Sequence, residues 1–384
     1  MPSIKGPELS PMLQSSRKRI LYVPYPLSTV TEESCGGAEQ VLFLVEQVMC
    51  QRGYWTTVAA CSGSRTAGEL IDTGAVALTF DQLEERDIEQ SRRTLEVIHR
   101  REGKHHQFNL IHDHGGRFWI NAAQFETPLL VTLHLPRDFY PDGFFDHVPA
   151  NVYFNCVSES QLNSFLDLPR LMGYVSNGID IDRFPFCEKK QDYLVWLGRV
   201  CEEKGLHIAA EVAEQVQLPL IIMGPGYLFP SHREYFDQQV QPYLQRNPDF
   251  SYIDSPSVAK KAAILSKARA LLVPSLVEET SSLVAMEAMA CGTPVIAFRR
   301  GALPEVVIDR RTGLIVETID EMAGAVAEVS AIAARDCREH VLKHHQRSRM
   351  GDDYEQIYSA ILDSATREES AAIPASEPAA APAI

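Results

Sequence analysis

No stretch of the 384-residue chain approaches the run of about 18 apolar residues that a bilayer-crossing helix requires, so no integral membrane segment is expected. Positive charge is also scarce. The 36 Lys and Arg face 51 Asp and Glu, a formal charge of −15, which argues against a nucleic-acid partner because a phosphate backbone demands net positive surface. The eight cysteines (Cys35, Cys50, Cys61, Cys156, Cys187, Cys201, Cys291, Cys337) include no C-x-x-C pair, so free thiols in a reducing cytoplasm fit better than disulfides or zinc. The N-terminal segment, with Lys5, Glu8 and Arg17-Lys18-Arg19, lacks the apolar core of a signal peptide, and a cytoplasmic location is expected. There is no H-E-x-x-H helix, and the glycines near the start do not space as G-x-G-x-x-G, which argues against a dinucleotide cofactor.

What is present is an ordinary globular composition, 45% hydrophobic and 23% charged, at a length that accommodates two domains. Short apolar strands alternate with helical patterns, which signals α/β architecture with parallel sheets. Strands are predicted at Ile20 to Val23, Thr56 to Ala60, Leu110 to His112, Leu129 to Leu133 and Val152 to Val157. A second set falls at Tyr193 to Leu197, Leu220 to Met223, Phe250 to Ile253, Ala270 to Val273, Val295 to Phe298 and Gly313 to Val316. Two Rossmann-like halves are the natural division, 19–184 and 185–349, with Pro185 to Gln191 as linker. Helices are predicted at Glu321 to Ala334 and Arg338 to Arg349, with a further helical segment in 350–368. Residues 1–18 read as a flexible leader and 369–384 as a disordered Ala/Pro tail.

The most informative segment runs from Glu279 through Thr280-Ser281-Ser282-Leu283 to Glu287, between the strand Ala270 to Val273 and the break Gly292-Thr293-Pro294. Glu287 lies within a helix of small and apolar residues, where a carboxylate is costly unless something donates to it. Glu279 precedes the helix at the carboxyl end of a strand, where open α/β sheets bind ligands, and the helix start at Ser281 and Ser282 offers N–H groups to an anion. Upstream, Gly198-Arg199-Val200-Cys201-Glu202-Glu203-Lys204-Gly205 follows another strand and presents two cations that can bracket a diphosphate. Near the start, Gly36-Gly37-Ala38-Glu39 opens a helix and lets the backbone approach a phosphate or sugar.

His134 ends the strand Leu129 to Leu133, and His112-Asp113-His114-Gly115-Gly116 ends another, with His112 and His114 on one face and Asp113 on the opposite one. A metal reading of that cluster lacks a helical ligand motif and a cysteine partner. Gly224-Pro225-Gly226 follows the strand Leu220 to Met223 as a turn that could line a pocket. The stretch from Arg92-Arg93 to Lys104-His105-His106 is locally basic; it reads as a solvated helix face or as a surface for anionic lipid or a phosphorylated acceptor.

Taken in order, these motifs resemble those of retaining glycosyltransferases of the GT-B fold, family 4 (glycosyl transferases group 1): G-G-x-E, strand-end His, N-G-I-D at Asn177 to Asp180, G-R-x4-K-G, E-x7-E, then A-C-G-T-P-V. The resemblance covers residues 19 to 362, and departs from the family where many members have Pro-Phe-Gly and this chain has Thr280-Ser281-Ser282. It implies two Rossmann-like domains facing each other across a deep cleft, with the last helix crossing back to the first domain. It implies that Arg199 and Lys204 neutralise the donor diphosphate, that Glu279 contacts the donor sugar and Glu287 the ribose, and that His134 touches the sugar near the reacting centre. Gly36, Gly37, Gly198, Gly224, Ser281, Ser282 and Leu283 would line the donor site, and His114 and Gly115 would face the acceptor. Asp180-Ile181-Asp182 superficially matches the D-x-D of metal-dependent transferases, but sits within the N-G-I-D element and is not read as a metal site. The implied activity is metal-independent transfer from a nucleotide-diphosphate sugar, a UDP-sugar by family frequency, to a glycan, lipid-linked or small-molecule hydroxyl, with no cofactor. A nucleotide-sugar epimerase and a degenerate sugar-nucleotide-binding protein are the alternatives.

Overall fold

The computed structural model describes residues 17–372 apart from 27, 35, 78–80 and 227–228. The leader before residue 17, the tail beyond 372 and Cys35 lie outside the described residues. Seven strands form one sheet: β1 (Arg19–Val23), β2 (Trp55–Ala60), β3 (Glu69–Asp72), β4 (Leu110–Asp113), β5 (Leu129–Thr132), β6 (Val152–Cys156) and β7 (Leu171–Tyr174). Their order is β3-β2-β1-β4-β5-β6-β7, and every described pairing is parallel. A second, six-stranded sheet comprises β8 (Leu194–Leu197), β9 (Leu220–Met223), β10 (Ser251–Ile253), β11 (Ala270–Val273), β12 (Val295–Phe298) and β13 (Gly313–Val316), in the order β10-β9-β8-β11-β12-β13 and again parallel. The central strands are buried on both faces, which is why they read as near-continuous apolar runs. Strand order reverses between β1 and β4 and between β8 and β11, so each domain has a crevice at the carboxyl ends of those strands.

Two strands escape the apolar pattern. β3 is an edge strand carrying Glu69 and Asp72 and is largely exposed, and β7 is the opposite edge with Gly173 at φ +87°. Edge strands need no apolar run, because one side faces water. The locally basic stretch lies mainly in the helix Asp81–Arg101, where Arg93 pairs with Glu89 at 2.6 Å and Arg101 with Glu69 at 2.6 Å. Much of its charge is therefore neutralised within the domain. Among the described residues no helix is long and apolar enough to cross a membrane.

The C-terminal helices differ from expectation in their boundaries. The helix Ile319–Glu328, capped by the Thr318 side chain, ends in a 3-10 turn at Val329–Ala331, and Ala334–His344 follows as a separate helix. The predicted helix through Arg349 is interrupted because the segment Asn177 to Ile179 crosses the chain there. Ile179 N–H donates to the His345 carbonyl (2.8 Å), and the Ile179 carbonyl accepts from Arg347 N–H (3.1 Å), in place of helical bonds. A new helix, Arg347–Ala372, begins immediately and extends past both ends of the 350–368 segment.

That last helix packs on the first domain, beside the helix Gly37–Gln51, over Ile20, Tyr22, Leu110 and Leu130. Arg52 pairs with Asp352 (2.5 Å) and Glu355 (2.8 Å). Inside, Tyr358 Oη lies 2.7 Å from His112 Nδ1, His112 Nε2 lies 2.7 Å from Thr132 Oγ1, and Thr132 donates to Asn155 Oδ1 at 2.7 Å. A fully buried polar chain of this kind is costly only when a member is left unpaired. Tyr358→Phe removes the partner of His112 and is expected to lower stability by about 1–3 kcal/mol. Urea denaturation monitored by Trp fluorescence checks this; a midpoint equal to that of the wild type would show the chain of bonds to be energetically idle.

Candidate active site between the two domains

The crevice of the second domain is built by loops locked to one another through backbone contact. Gly205 has φ +65°, and a Cβ there would come within 2.0 Å of the Pro274 carbonyl oxygen. Gly224, at φ +144°, would bring a Cβ within 1.8 Å of the Gly198 carbonyl oxygen. Both positions therefore require glycine, for conformation and for space. Further along, Leu276 N–H donates to Glu203 O at 2.9 Å, and Trp196 Nε1–H to Lys204 O at 3.1 Å. These contacts fasten the 198–205 loop, following β8, to the 274–279 loop, following β11.

The consequence is an ion pair. Lys204 Nζ lies 2.6 Å from Glu279 Oε1, with the glutamate side chain 12% exposed, and Ser275 Oγ donates to the same oxygen. The sequence reading placed Lys204 and Glu279 separately on a donor; the structure brings them together. Arg199 is 3.8 Å from Glu203, and its charge also reaches Glu39 of the first domain. Glu39 is buried, and burial raises its carboxyl pKa, an effect that its own backbone N–H, Arg199 and Ser28 oppose. The Gly36-Gly37 turn N-caps the helix Gly37–Gln51, and Gly37 faces the Leu283 side chain across the domain boundary.

Ser282 caps the helix Leu283–Ala290, its hydroxyl accepting from Ala285 N–H, and Ser281 beside it is partly exposed. Within that helix Glu287 is 3% exposed, bonded through Oε1 to Lys261 Nζ at 2.6 Å, while its Oε2 is buried without a hydrogen-bond partner. It borders an open recess together with Gln40, Phe43, Asp180, Arg183 and Val258. Asp180 pairs with Arg347 at 3.0 Å.

From the first domain, His134 reaches the same region. Its carbonyl accepts from Thr280 Oγ1 at 2.9 Å, which joins the strand-end histidine to the E-x7-E segment. Its ring Nε2 lies 3.0 Å from His114 Nδ1, and the His112 and His114 ring centroids are 4.0 Å apart with the planes tilted by 43°. Gly115 N–H bonds the Val23 carbonyl at 3.1 Å, closing the β1–β4 crevice. Asp113, on the opposite face, accepts from Gly116 and Trp119 N–H groups, and burial pushes its carboxyl up to about 7.

Two contributing residues, Lys261 and Ser275, were absent from the sequence reading. Lys261 had a signal: it lies four before buried Leu265 on the inward face of the helix Val258–Leu265. Ser275 bonds Glu279 four residues along the same loop, and the Thr280 hydroxyl, whose partner His134 comes from the other domain, had no signal.

The geometry defines the class of protein first: two parallel-sheet domains with paired switch-point crevices are the GT-B architecture. Solved structures agree. Sucrose-phosphate synthase of Thermosynechococcus elongatus matches with TM-score 0.75 at 20% identity, over 91% of this chain and 100% of that one. The Anabaena HepE protein, solved with UDP and glucose, matches with TM-score 0.70 at 15% identity over 90% and 100%. Residues 191–331, within the second domain, match the model of the family described as glycosyl transferases group 1. Curated relatives include D-inositol 3-phosphate glycosyltransferase of Mycobacteroides abscessus, 40% identical over 58% of each chain, and alpha-maltose-1-phosphate synthase of Mycolicibacterium smegmatis, 34% identical over 36% of this chain and 34% of that one. The chain spans at most about half to three-fifths of the length of such relatives.

Burial pushes the His134 imidazole down to about 4, so it is neutral at pH 5–8. The unfolded chain takes up this proton first, near pH 6.5, so the histidine's contribution to stability is lost as pH falls from about 6.5 toward 4. An NMR titration of its ring should give a midpoint near 4; a midpoint of 6.5 would mean that the ring is solvated and unconstrained.

Proposed function

We propose that this protein is a retaining, metal-independent glycosyltransferase that moves a sugar from a nucleotide-diphosphate sugar, a UDP-sugar by preference, to a hydroxyl acceptor such as a glycan, a lipid-linked sugar or a small metabolite. The observation that carries the reading is the Lys204–Glu279 pair at the β8–β11 switch point, next to Thr280, whose hydroxyl bonds the His134 carbonyl across the domain boundary. Without donor, each neutralises the other. When a diphosphate enters, the mobile ammonium turns to it, and Glu279 is released to accept from sugar hydroxyls.

In the reaction the bond between the anomeric carbon and the leaving diphosphate oxygen breaks, and the acceptor oxygen bonds that carbon from the same face. The acceptor proton passes to the departing phosphate, so no side chain is assigned as nucleophile or dedicated base. Lys204, Arg199 and the N–H groups at the start of the helix Leu283–Ala290 stabilise charge growing on the diphosphate. Neutral His134 can hydrogen-bond the sugar without competing for the diphosphate as a cation would. Glu287, with one oxygen unpartnered beside the recess, takes the ribose. The relatives are named for glycosyl transfer, and HepE was solved with UDP-glucose, which supports a nucleotide-sugar donor.

A thermal-shift screen of UDP-glucose, UDP-N-acetylglucosamine, GDP-mannose and dTDP-sugars identifies the donor, since a ligand of the folded state raises Tm with occupancy. With that donor, Lys204→Ala is expected to cut turnover by roughly 10²- to 10³-fold while the protein stays folded. Wild-type rates in a folded Lys204→Ala, Arg199→Ala double variant would refute the diphosphate assignment. Transfer is expected to persist in EDTA. Activity abolished by chelation and restored by manganese would instead make a metal the partner of the diphosphate.

A further inference from the structure

The helix Leu283–Ala290 buries Ala285, Met286, Ala288 and Met289, and in their midst it carries one carboxylate, Glu287. Its partner Lys261 comes from the adjacent helix Val258–Leu265, at 2.6 Å, with 11% of the lysine side chain and 4% of the glutamate side chain exposed. A pair this buried adds little stability over two apolar side chains, because desolvation offsets most of the attraction. The pair is also incomplete. Lys261 holds Oε1 alone, and Oε2 is buried with no hydrogen-bond partner although it belongs to a residue bordering the recess between the domains. Two other charged groups there are already engaged, Asp180 with Arg347 at 3.0 Å and Arg183 with Glu33 at 3.3 Å.

Lys261 itself is held in place. Its Nζ lies 5.8 Å from the ring centroid of buried Phe184, and its helix is capped by Ser257. The first N–H of that helix, at Val258, donates to Glu33 Oε2 of the first domain at 2.9 Å. The lysine is thus aimed at Glu287 from a helix fixed at its start to the opposite domain.

We propose that Lys261 is the positioning residue for the nucleotide ribose. By balancing the charge of Glu287 and fixing Oε1, it turns Oε2 toward the recess, where a vicinal diol can donate to it. This rests on the nucleotide-sugar reading above and adds to it the residue that makes the ribose acceptor selective for ribonucleotides.

The test measures affinities of the full chain, by titration calorimetry, for UDP, GDP and their 2′,3′-dideoxy counterparts, in the wild type, Lys261→Met and Lys261→Gln. The wild type is expected to bind one ribonucleoside diphosphate roughly ten- to a hundredfold more tightly than its dideoxy form, the size of one charge-assisted hydrogen bond. In Lys261→Met this ratio falls toward one with dideoxy affinity unchanged, and Lys261→Gln, which keeps a donor near Oε1, lies between. A ratio that survives Lys261→Met, or equal weakening of both forms, overturns the proposal. Should Lys261→Met not fold, an undiminished ratio in Lys261→Gln overturns it equally, and failure of both to fold shows the pair to be structural. A wild type that binds no nucleoside diphosphate overturns the functional reading itself, whereas binding without preference for ribose overturns only the roles of Glu287 and Lys261.

Discussion

The contact of Gly205 with the Pro274 carbonyl underlies the rest of the site. Because no Cβ intervenes, the loop after β8 lies directly on the end of β11, with φ +65° at the glycine that starts the helix Leu206–Gln215. Lys204 is the residue before it, and its 2.6 Å bond to Glu279 follows from that placement. The neighbouring backbone bond from Leu276 to Glu203 extends the same seam. Two loops that would each be mobile alone become one surface, which carries the cations and the carboxylate together.

A second set of constraints joins the domains. The His134 carbonyl accepts from Thr280, Gly37 abuts Leu283, and Glu33 holds the start of the helix Val258–Leu265. The return helix Arg347–Ala372 adds a covalent return to the first domain and seals the polar chain Tyr358–His112–Thr132–Asn155 under the first sheet. His112 and His114 are buried, and burial lowers the pKa of both and of His134, so the charges that the first domain brings to the site come from other residues, such as Glu39 beside Arg199.

Both carboxylates of the E-x7-E segment are paired with lysine, by different routes. Glu279 meets Lys204 in the crevice, where the ammonium is partly open to water. Glu287 meets Lys261 inside the packing of two helices, where neither can leave without stranding the other's charge. The first pair is suited to exchange and the second to permanence, as the proposed roles on the sugar and on the nucleotide require.

Period and composition were enough to read both sheets' central strands, because strands buried on two faces must be apolar throughout, as in Ile20 to Val23 and Ala270 to Val273. Charges at strand ends singled out Lys204 and Glu279 as candidates, and Glu287 stood out as a carboxylate inside an apolar helix, where it is costly without a donor. Edge strands β3 and β7 left no such trace, being half-solvated and carrying Glu69 or Gly173. The helix break at His345 and Gln346 was decided by Ile179, from a segment far away in sequence, whose backbone groups replaced the helical ones. The partners of the site were settled in the same way: Thr280 on His134 and Lys261 on Glu287 each join residues that no local pattern relates. The sequence by itself determined which residues must be buried and which must not. Only the tertiary structure decided which charge faces which, because pairing depends on where separate elements meet.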